Sequence, residues 1–290
     1  MTYLGIHDIF EKDKLGVVCP LGRYPTATHE KEEKLMIFES HAHYDDDAFD
    51  VDREELIQSC KEQGIEYIVN VSASLDSVKT TLELAEKHDF IYAAVGIHPD
   101  EVGTLNEENF AWMKEQCKNS KVVAVGEAGL DYYWDKEQHE VQKYWFHRQM
   151  ELVKELKLPL IVHSRDAAAD TLEAVKAAHT SESRGVIHCF SYGPEMAREY
   201  LKMGYYIGIG GVVTFKNAKK LKEVAEMVPL EQLLLETDCP YLSPEPNRGK
   251  RNSSLNLIYV AETIGRLKGI EAEEVIRVTN ENAKKLFFQK

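Results

Sequence analysis

The chain is poor in several features that would assign it to a special class. No stretch approaches the roughly 18 continuous apolar residues of a membrane span, so the sequence argues against a transmembrane helix. Cysteine is sparse: Cys19, Cys60, Cys117, Cys189 and Cys239 are dispersed through 290 residues with no C-x-x-C spacing. An odd, scattered set of this kind reads as reduced thiols in the cytoplasm, not as a disulfide framework. Residues 1–8 lack the basic stretch and apolar core of a signal peptide, and the expected location is cytoplasmic. Positive charge is short, with 35 Lys and Arg against 49 Asp and Glu and a formal charge of −14. That balance argues against the broad basic footprint of a DNA-binding module. It leaves open a nucleic-acid substrate whose phosphates are held by metal ions and a few local cations. A Gly-rich phosphate loop after the first strand is also missing, which speaks against an open doubly wound sheet.

What is present is a regular alternation. Hydrophobic residues make up 43% of the chain, enough for a sizeable core. Residues 1–35 stand apart, broken by Gly16, Pro20, Gly22 and Pro25 and ending in a charge run at 29–34; they are expected to be an N-terminal extension. From Met36 onward, short β-branched runs at 36–43, 65–73, 91–99, 122–131, 159–165, 185–190, 205–213 and 233–242 are each followed by a segment of 3.6 period. Those segments lie near 51–63, 75–88, 106–118, 137–157, 167–179, 194–203, 217–228 and 255–268, and 273–287 adds a further helix. Eight strand–helix units predict an α/β fold, a TIM-like (β/α)8 barrel over 36–290 with an extra C-terminal helix. The span is close to the usual size of such barrels, about 250 residues.

In a barrel of this kind, functional groups sit at the C-terminal ends of the strands. Strand one ends in His41-Ala42-His43, whose alternation points both imidazoles to one side. Strand three ends in Gly96-Ile97-His98-Pro99. Strand four carries Glu127 directly after Val122-Val123-Ala124-Val125, where a carboxylate is costly unless it is paired or ligates a metal. Strands five and six place His163 and His188 after apolar runs, and strand eight ends in Glu236-Thr237-Asp238. Taken singly, each has a bland alternative: a capping histidine, a rim ion pair, a polar strand end. Jointly, His41, His43, Glu127, His163, His188 and Asp238 form a donor set of imidazoles and carboxylates suited to zinc, manganese, iron, nickel or magnesium. Six ligands exceed the needs of one tetrahedral ion and suit two ions sharing a carboxylate, an arrangement used in hydrolysis. His88, His139, His147 and His179 fall on helices or their ends and read as solvated or capping groups, while His7 and His29 carry no signal. Cys189 and Cys239 are expected to point to the opposite face of their strands as packing residues.

The stretches Ser40-His41-Ala42-His43-Tyr44, Gly96-Ile97-His98-Pro99, Gly126-Glu127-Ala128-Gly129-Leu130-Asp131, His163-Ser164-Arg165, His188-Cys189-Phe190-Ser191 and 236–242 together resemble the TatD family of metal-dependent deoxyribonucleases, within the amidohydrolase-type barrels. The loop Arg248-Gly249-Lys250-Arg251-Asn252 is also similar to the family's. The resemblance covers 36–290. It implies two divalent ions (zinc, magnesium or manganese), with His41, His43 and Asp238 around one, His163 and His188 on the other, and Glu127 bridging. It also implies a cytoplasmic phosphodiesterase acting on DNA, single-stranded or at ends. Residues 1–35 lie outside the resemblance, and Ser253-Ser254 stand where many relatives carry Glu-Pro.

From these residues, Asp238 is expected to orient the attacking water and accept its proton, with Glu127 the other catalytic carboxylate. His98 and Arg165 are expected to contact phosphate oxygens, Arg165 through two parallel hydrogen bonds. Arg248, Lys250 and Arg251 are candidates for the DNA backbone, against the plain reading of a solvated turn. Two alternatives compete: a hydrolase of aminoacyl-tRNA esters or small amides and lactones using the same metal pair, and a barrel-shaped binding protein without turnover.

Overall fold

Short runs rich in Val, Ile and Ala, each buried on both faces, are what an all-parallel sheet covered by helices requires. The computed structural model describes residues 36–134 and 137–289, and the N-terminal extension expected over 1–35 lies outside the described residues. Strands β1 (Ile37–Ala42), β2 (Ile65–Val71), β3 (Ile91–Val95), β4 (Val122–Asp131), β5 (Leu160–Arg165), β6 (Gly185–Ile187), β7 (Tyr206–Ile209) and β8 (Leu233–Leu235) pair in sequence order, all parallel. The ring returns on itself where Ala42 bridges Cys239, with the His43 N–H on the Cys239 carbonyl at 2.9 Å and the Asp238 N–H on the His41 carbonyl at 3.0 Å. The fold is the expected TIM barrel.

Between and around the strands run α1 (Arg53–Glu62), α2 (Leu75–Lys87), α3 (Glu107–Gln116), α4 (His139–Leu156), α5 (Ala168–Ala178), α6 (Pro194–Lys202), α7 (Lys219–Met227) and α8 (Leu257–Lys268). Their starts follow local chemistry. Ser74 and Ser77 form a reciprocal capping box on α2, Asn106 and Asn109 do the same on α3, and Pro194 opens α6, each satisfying or removing an orphan N–H.

Two apolar layers result. The outer one packs helices on the barrel wall. The inner one fills the lower barrel with Phe38, Val69, Ala124, Ile161 and Leu234, and is closed by Ala283, Leu286 and Phe287 from α9 (Ala272–Phe288). The extra C-terminal helix is thus a plug at the N-terminal end of the barrel, its Phe287 ring stacked on Phe38 at 5.8 Å. With the bottom sealed and apolar, the polar residues of the strands are left at the opposite mouth.

Strands six and eight are shorter than their sequence pattern suggests. The chain leaves the sheet after Ile187 and Leu235, and Cys189 (φ 44°) and Asp238 (φ 58°) adopt left-handed backbone, which breaks the extended pleat. His188 and Asp238 therefore sit on turns at the mouth instead of on strands. Pleat alternation is thus no guide to Cys189 and Cys239, although Cys239 is buried in the outer core as a packing residue. Gly129 is needed for a different reason: a Cβ there would lie 1.9 Å from the His163 carbonyl oxygen, where β4 and β5 close beside the mouth.

Removing the plug's central ring should be costly. Phe287→Ala is expected to destabilise the protein by about 3–5 kcal/mol, read as a lower urea midpoint with an unchanged slope.

Candidate metal centre

The C-terminal ends of β1, β4, β5, β6 and β8 converge on Glu127, which is 3% exposed in a strand buried along its whole length. Its two carboxylate oxygens face two different groups. Oε2 lies 3.2 Å from His41 Nε2 and 3.8 Å from His43 Nε2, and Asp238 Oδ1 completes that side at 3.3 Å from His43 and 3.8 Å from His41. Oε1 lies 2.5 Å from His163 Nδ1 and 3.1 Å from His188 Nε2. All six ligand candidates from the sequence are brought together. The groups are not fully separate: the donor atoms of His188 also fall within ligating reach of those of His41 and Asp238.

The spacing suits a cation. Ligand atoms bonded at about 2.0–2.1 Å around a tetrahedral ion lie about 3.3 Å from one another, and the distances around both oxygens scatter about that value. The proton inventory points the same way. His43 Nδ1 is 2.7 Å from the Val71 carbonyl, to which it must donate, so its Nε2 presents a lone pair to the Asp238 and Glu127 oxygens. His163 Nε2 lies 3.0 Å from Asp131 Oδ2, which accepts its proton and leaves Nδ1 as a lone pair against Glu127 Oε1. Lone pairs facing carboxylate oxygens need a proton or a metal ion between them. Within the polypeptide alone the balance is met by charge on the rings. Burial disfavours that charge, but Asp238 lifts His43 to about 9, and Glu127 with Asp131 lifts His163 to about 9. Glu127 is pushed up by its own burial, yet His188, His163 and His41 outweigh this and hold it well below the usual carboxylate range.

His98 lies closer to the centre than a remote contact would. Its Nδ1 accepts the Asp100 N–H at 3.2 Å, so its Nε2–H points inward, 3.3 Å from His163 Nδ1 and 3.9 Å from Glu127 Oε1. Burial and the neighbouring His163 depress its pKa to about 3, so it is a neutral donor. Arg165 is exposed, its guanidinium 4.0 Å above the Tyr133 ring and 5.4 Å from that of Trp134, and among the described residues it has no carboxylate in ion-pair range. The mouth opens into a cavity of about 1030 Å³ that His98, Arg165 and the Glu127 cluster line together. The basic loop is not brought to the centre. Arg251 is clamped on Asp52 at 2.7 and 2.6 Å, and Arg248 lies over Phe215 at 4.2 Å beside Glu245. Of the helical histidines, His147 is exposed beside Glu151 and His88 and His179 end α2 and α5, as read, whereas His139 is half-buried and stacked on Tyr132, neither solvated nor a cap.

Three carboxylates that sequence reasoning gave no role support the centre from behind. Asp131 orients His163 and also receives the Tyr133 and Trp134 N–H groups. Glu236 sits 3.5 Å from His188 Nδ1 and takes the Cys189 N–H, in space that Gly208 leaves open, since a Cβ there would lie 2.4 Å from its Oε2. Glu39 is fully buried and accepts from the His41 and Thr237 N–H groups and the Thr237 hydroxyl. Burial pushes its pKa up to about 8 against those hydrogen bonds. A signal existed for two of them: Glu39 and Asp131 stand two and four residues from His41 and Glu127, on the same face by strand alternation.

Residues 38–288 match the family described as TatD related DNase. The chain is 46% identical over 252 residues to the uncharacterized metal-dependent hydrolase YabD of Bacillus subtilis (strain 168), covering 87% of this chain and 99% of that one. It is 34% identical over 259 residues to the uncharacterized metal-dependent hydrolase YcfH of Escherichia coli (strain K12), covering 87% and 96%. Among solved structures it superposes on the TatD homolog YjjV of Escherichia coli K12 with a TM-score of 0.82 at 30% identity, covering 88% of this chain and 98% of that one.

A carboxylate that fixes a ligand's tautomer should govern affinity without being a ligand. Asp131→Asn is expected to weaken zinc binding by about 10- to 100-fold, measured by competition with a chromophoric chelator, while the far-ultraviolet circular dichroism stays as in the parent.

Proposed function

The chain belongs to the TatD-related DNase family and is a metal-dependent hydrolase, and from that premise we propose that it cleaves phosphodiester bonds of DNA with two divalent ions held at the barrel mouth. The observation that carries this reading is the two-sided environment of Glu127, with His41 and His43 at one carboxylate oxygen and His163 and His188 at the other. That arrangement suits a shared ligand between two ions, the pattern that clamps both attacking and leaving oxygens of an in-line displacement. His41, His43 and Asp238 would hold one ion, His163 and His188 the other, with Glu127 between. Ions bound there supply Lewis acidity and lower the pKa of a coordinated water toward neutrality.

The chain's own groups do the rest. Asp238 sits at the lip of the cluster, its carboxylate 18% exposed and held ionised, because His43 and the surrounding imidazoles outweigh the cost of its burial. It is placed to orient water and accept its proton. The neutral His98 donates Nε2–H to a phosphate oxygen without adding a charge that would repel the metals. Arg165, whose charge has no carboxylate partner among the described residues, reaches the same phosphate with its forked donors.

One observation favours a second reading, hydrolysis of aminoacyl-tRNA esters or small amides and lactones. The cavity wall carries Asp45, Asp46, Asp47, Asp76, Asp100 and Glu101, and Arg165 is its single Lys or Arg among the described residues. Such a negative wall would attract the free ammonium of an aminoacyl ester. A panel of single-stranded DNA, tRNA esters and lactones separates the two, with turnover of DNA the expected result.

Asp238→Ala and Glu127→Ala are each expected to lower DNA cleavage by about 10²-fold or more while the barrel stays folded by circular dichroism, and chelation should abolish cleavage by the parent. Parent-like turnover in metal-replete Asp238→Ala would remove Asp238 as the base.

A further inference from the structure

β4 and β8 stand four strands apart in an eight-stranded ring, so their C-terminal ends face one another across the mouth. Each is followed by an aromatic ring that lines the cavity above Glu127 and is open to solvent: Trp134 after β4, 66% exposed, and Tyr241 after β8, 54% exposed. Large rings left uncovered on a functional cavity mark a contact surface, since burying them elsewhere would stabilise the fold. Both are anchored. The Trp134 N–H donates to Asp131 at 3.2 Å, and its ring meets Tyr133 edge-on at 4.7 Å. Arg165 lies over Tyr133. The Tyr241 hydroxyl donates to Asp46 at 2.8 Å, which consumes its polar end and leaves the ring itself to offer.

We infer that Trp134 and Tyr241 are stacking surfaces for two unpaired nucleobases, one on each side of the scissile phosphate, with Arg165 on the backbone between them. The inference rests on the DNA reading above and names the side chains that would meet the bases. It also answers a difficulty of that reading. Away from the ions proposed at the centre, a wall of carboxylates with one arginine gives phosphates little attraction, so part of the affinity for the strand is left to contacts that carry no charge. Base–aromatic stacking is such a contact, and it tolerates any sequence because every base has a π-face. In a duplex those faces are covered by neighbouring pairs, and exposing one requires unstacking. The same Asp131 that orients His163 holds the Trp134 backbone, so the stacked base is registered against the metal centre.

The test is binding, followed by anisotropy, of three cleavage-resistant phosphorothioate DNAs: a short labelled single strand, the same strand with abasic sugars at its centre, and a hairpin duplex. The metal-loaded parent should bind the intact strand most tightly. Trp134→Ala should weaken that binding by about 5- to 100-fold and erase the preference over the abasic strand, and Trp134→Phe should restore most of it. Equal weakening on both strands, an unchanged Trp134→Ala, or a parent that binds no strand would each overturn the subsite. Cleavage of unmodified DNA is scored separately. A parent that binds bases through Trp134 yet cleaves no DNA overturns the nuclease reading alone. One that cleaves DNA with kcat/KM unaffected by Trp134→Ala overturns the subsite alone.

Discussion

The structure is organised around one ionised carboxylate that cannot be left alone. Glu127 lies in β4, where every residue is buried, and an unpaired charge in such surroundings costs several kcal/mol. Compensation comes from imidazoles on both of its oxygens, delivered by β1, β5 and the turn after β6. The closed ring of parallel strands brings those distant segments to one rim. The same electrostatic need that raises the pKa values of His43, His163 and His188 would be met by metal cations bound in place of their protons.

Around that centre three of the candidate ligands have a partner from another element: Val71 for His43, Asp131 for His163, and Glu236 beside His188. Glu39 joins β1 to the segment after β8 through Thr237, next to the left-handed Asp238. The hydrogen bonds to Val71 and Asp131 decide which ring nitrogen of His43 and His163 carries a proton, and hence which lone pair is offered. At the other end of the barrel, α9 seals the apolar interior, so a polar cluster at the mouth does not compete with a second opening. The cavity, two aromatic rings and Arg165 share the rim of that mouth.

Much of this could be read from the residues in order. The alternation of β-branched runs with 3.6-period segments specifies the barrel because parallel strands buried on both faces and amphipathic helices have different apolar periods. The six ligand candidates stood out because imidazoles and carboxylates directly after apolar runs are expensive without a shared purpose. What escaped was whatever depends on departures from regular backbone or on distant pairing. Strands β6 and β8 end early and are followed by the left-handed residues Cys189 and Asp238, in a way no periodicity reveals. The clamp between Arg251 and Asp52 joins positions far apart in sequence and ties that residue of the basic loop to the start of α1. The supporting roles of Glu39, Asp131 and Glu236 emerge only when donors and acceptors are paired in space, although alternation already placed the first two on the ligand face.

The central claim is that Glu127 is shared by two cations, and the most direct measurement is the number of zinc ions bound per chain by the parent and by Glu127→Gln, counted by mass spectrometry of the native protein. The account predicts two ions in the parent and loss of at least one in the variant, with the fold retained. Two ions bound as tightly by Glu127→Gln as by the parent, or a parent that never holds more than one, would contradict it.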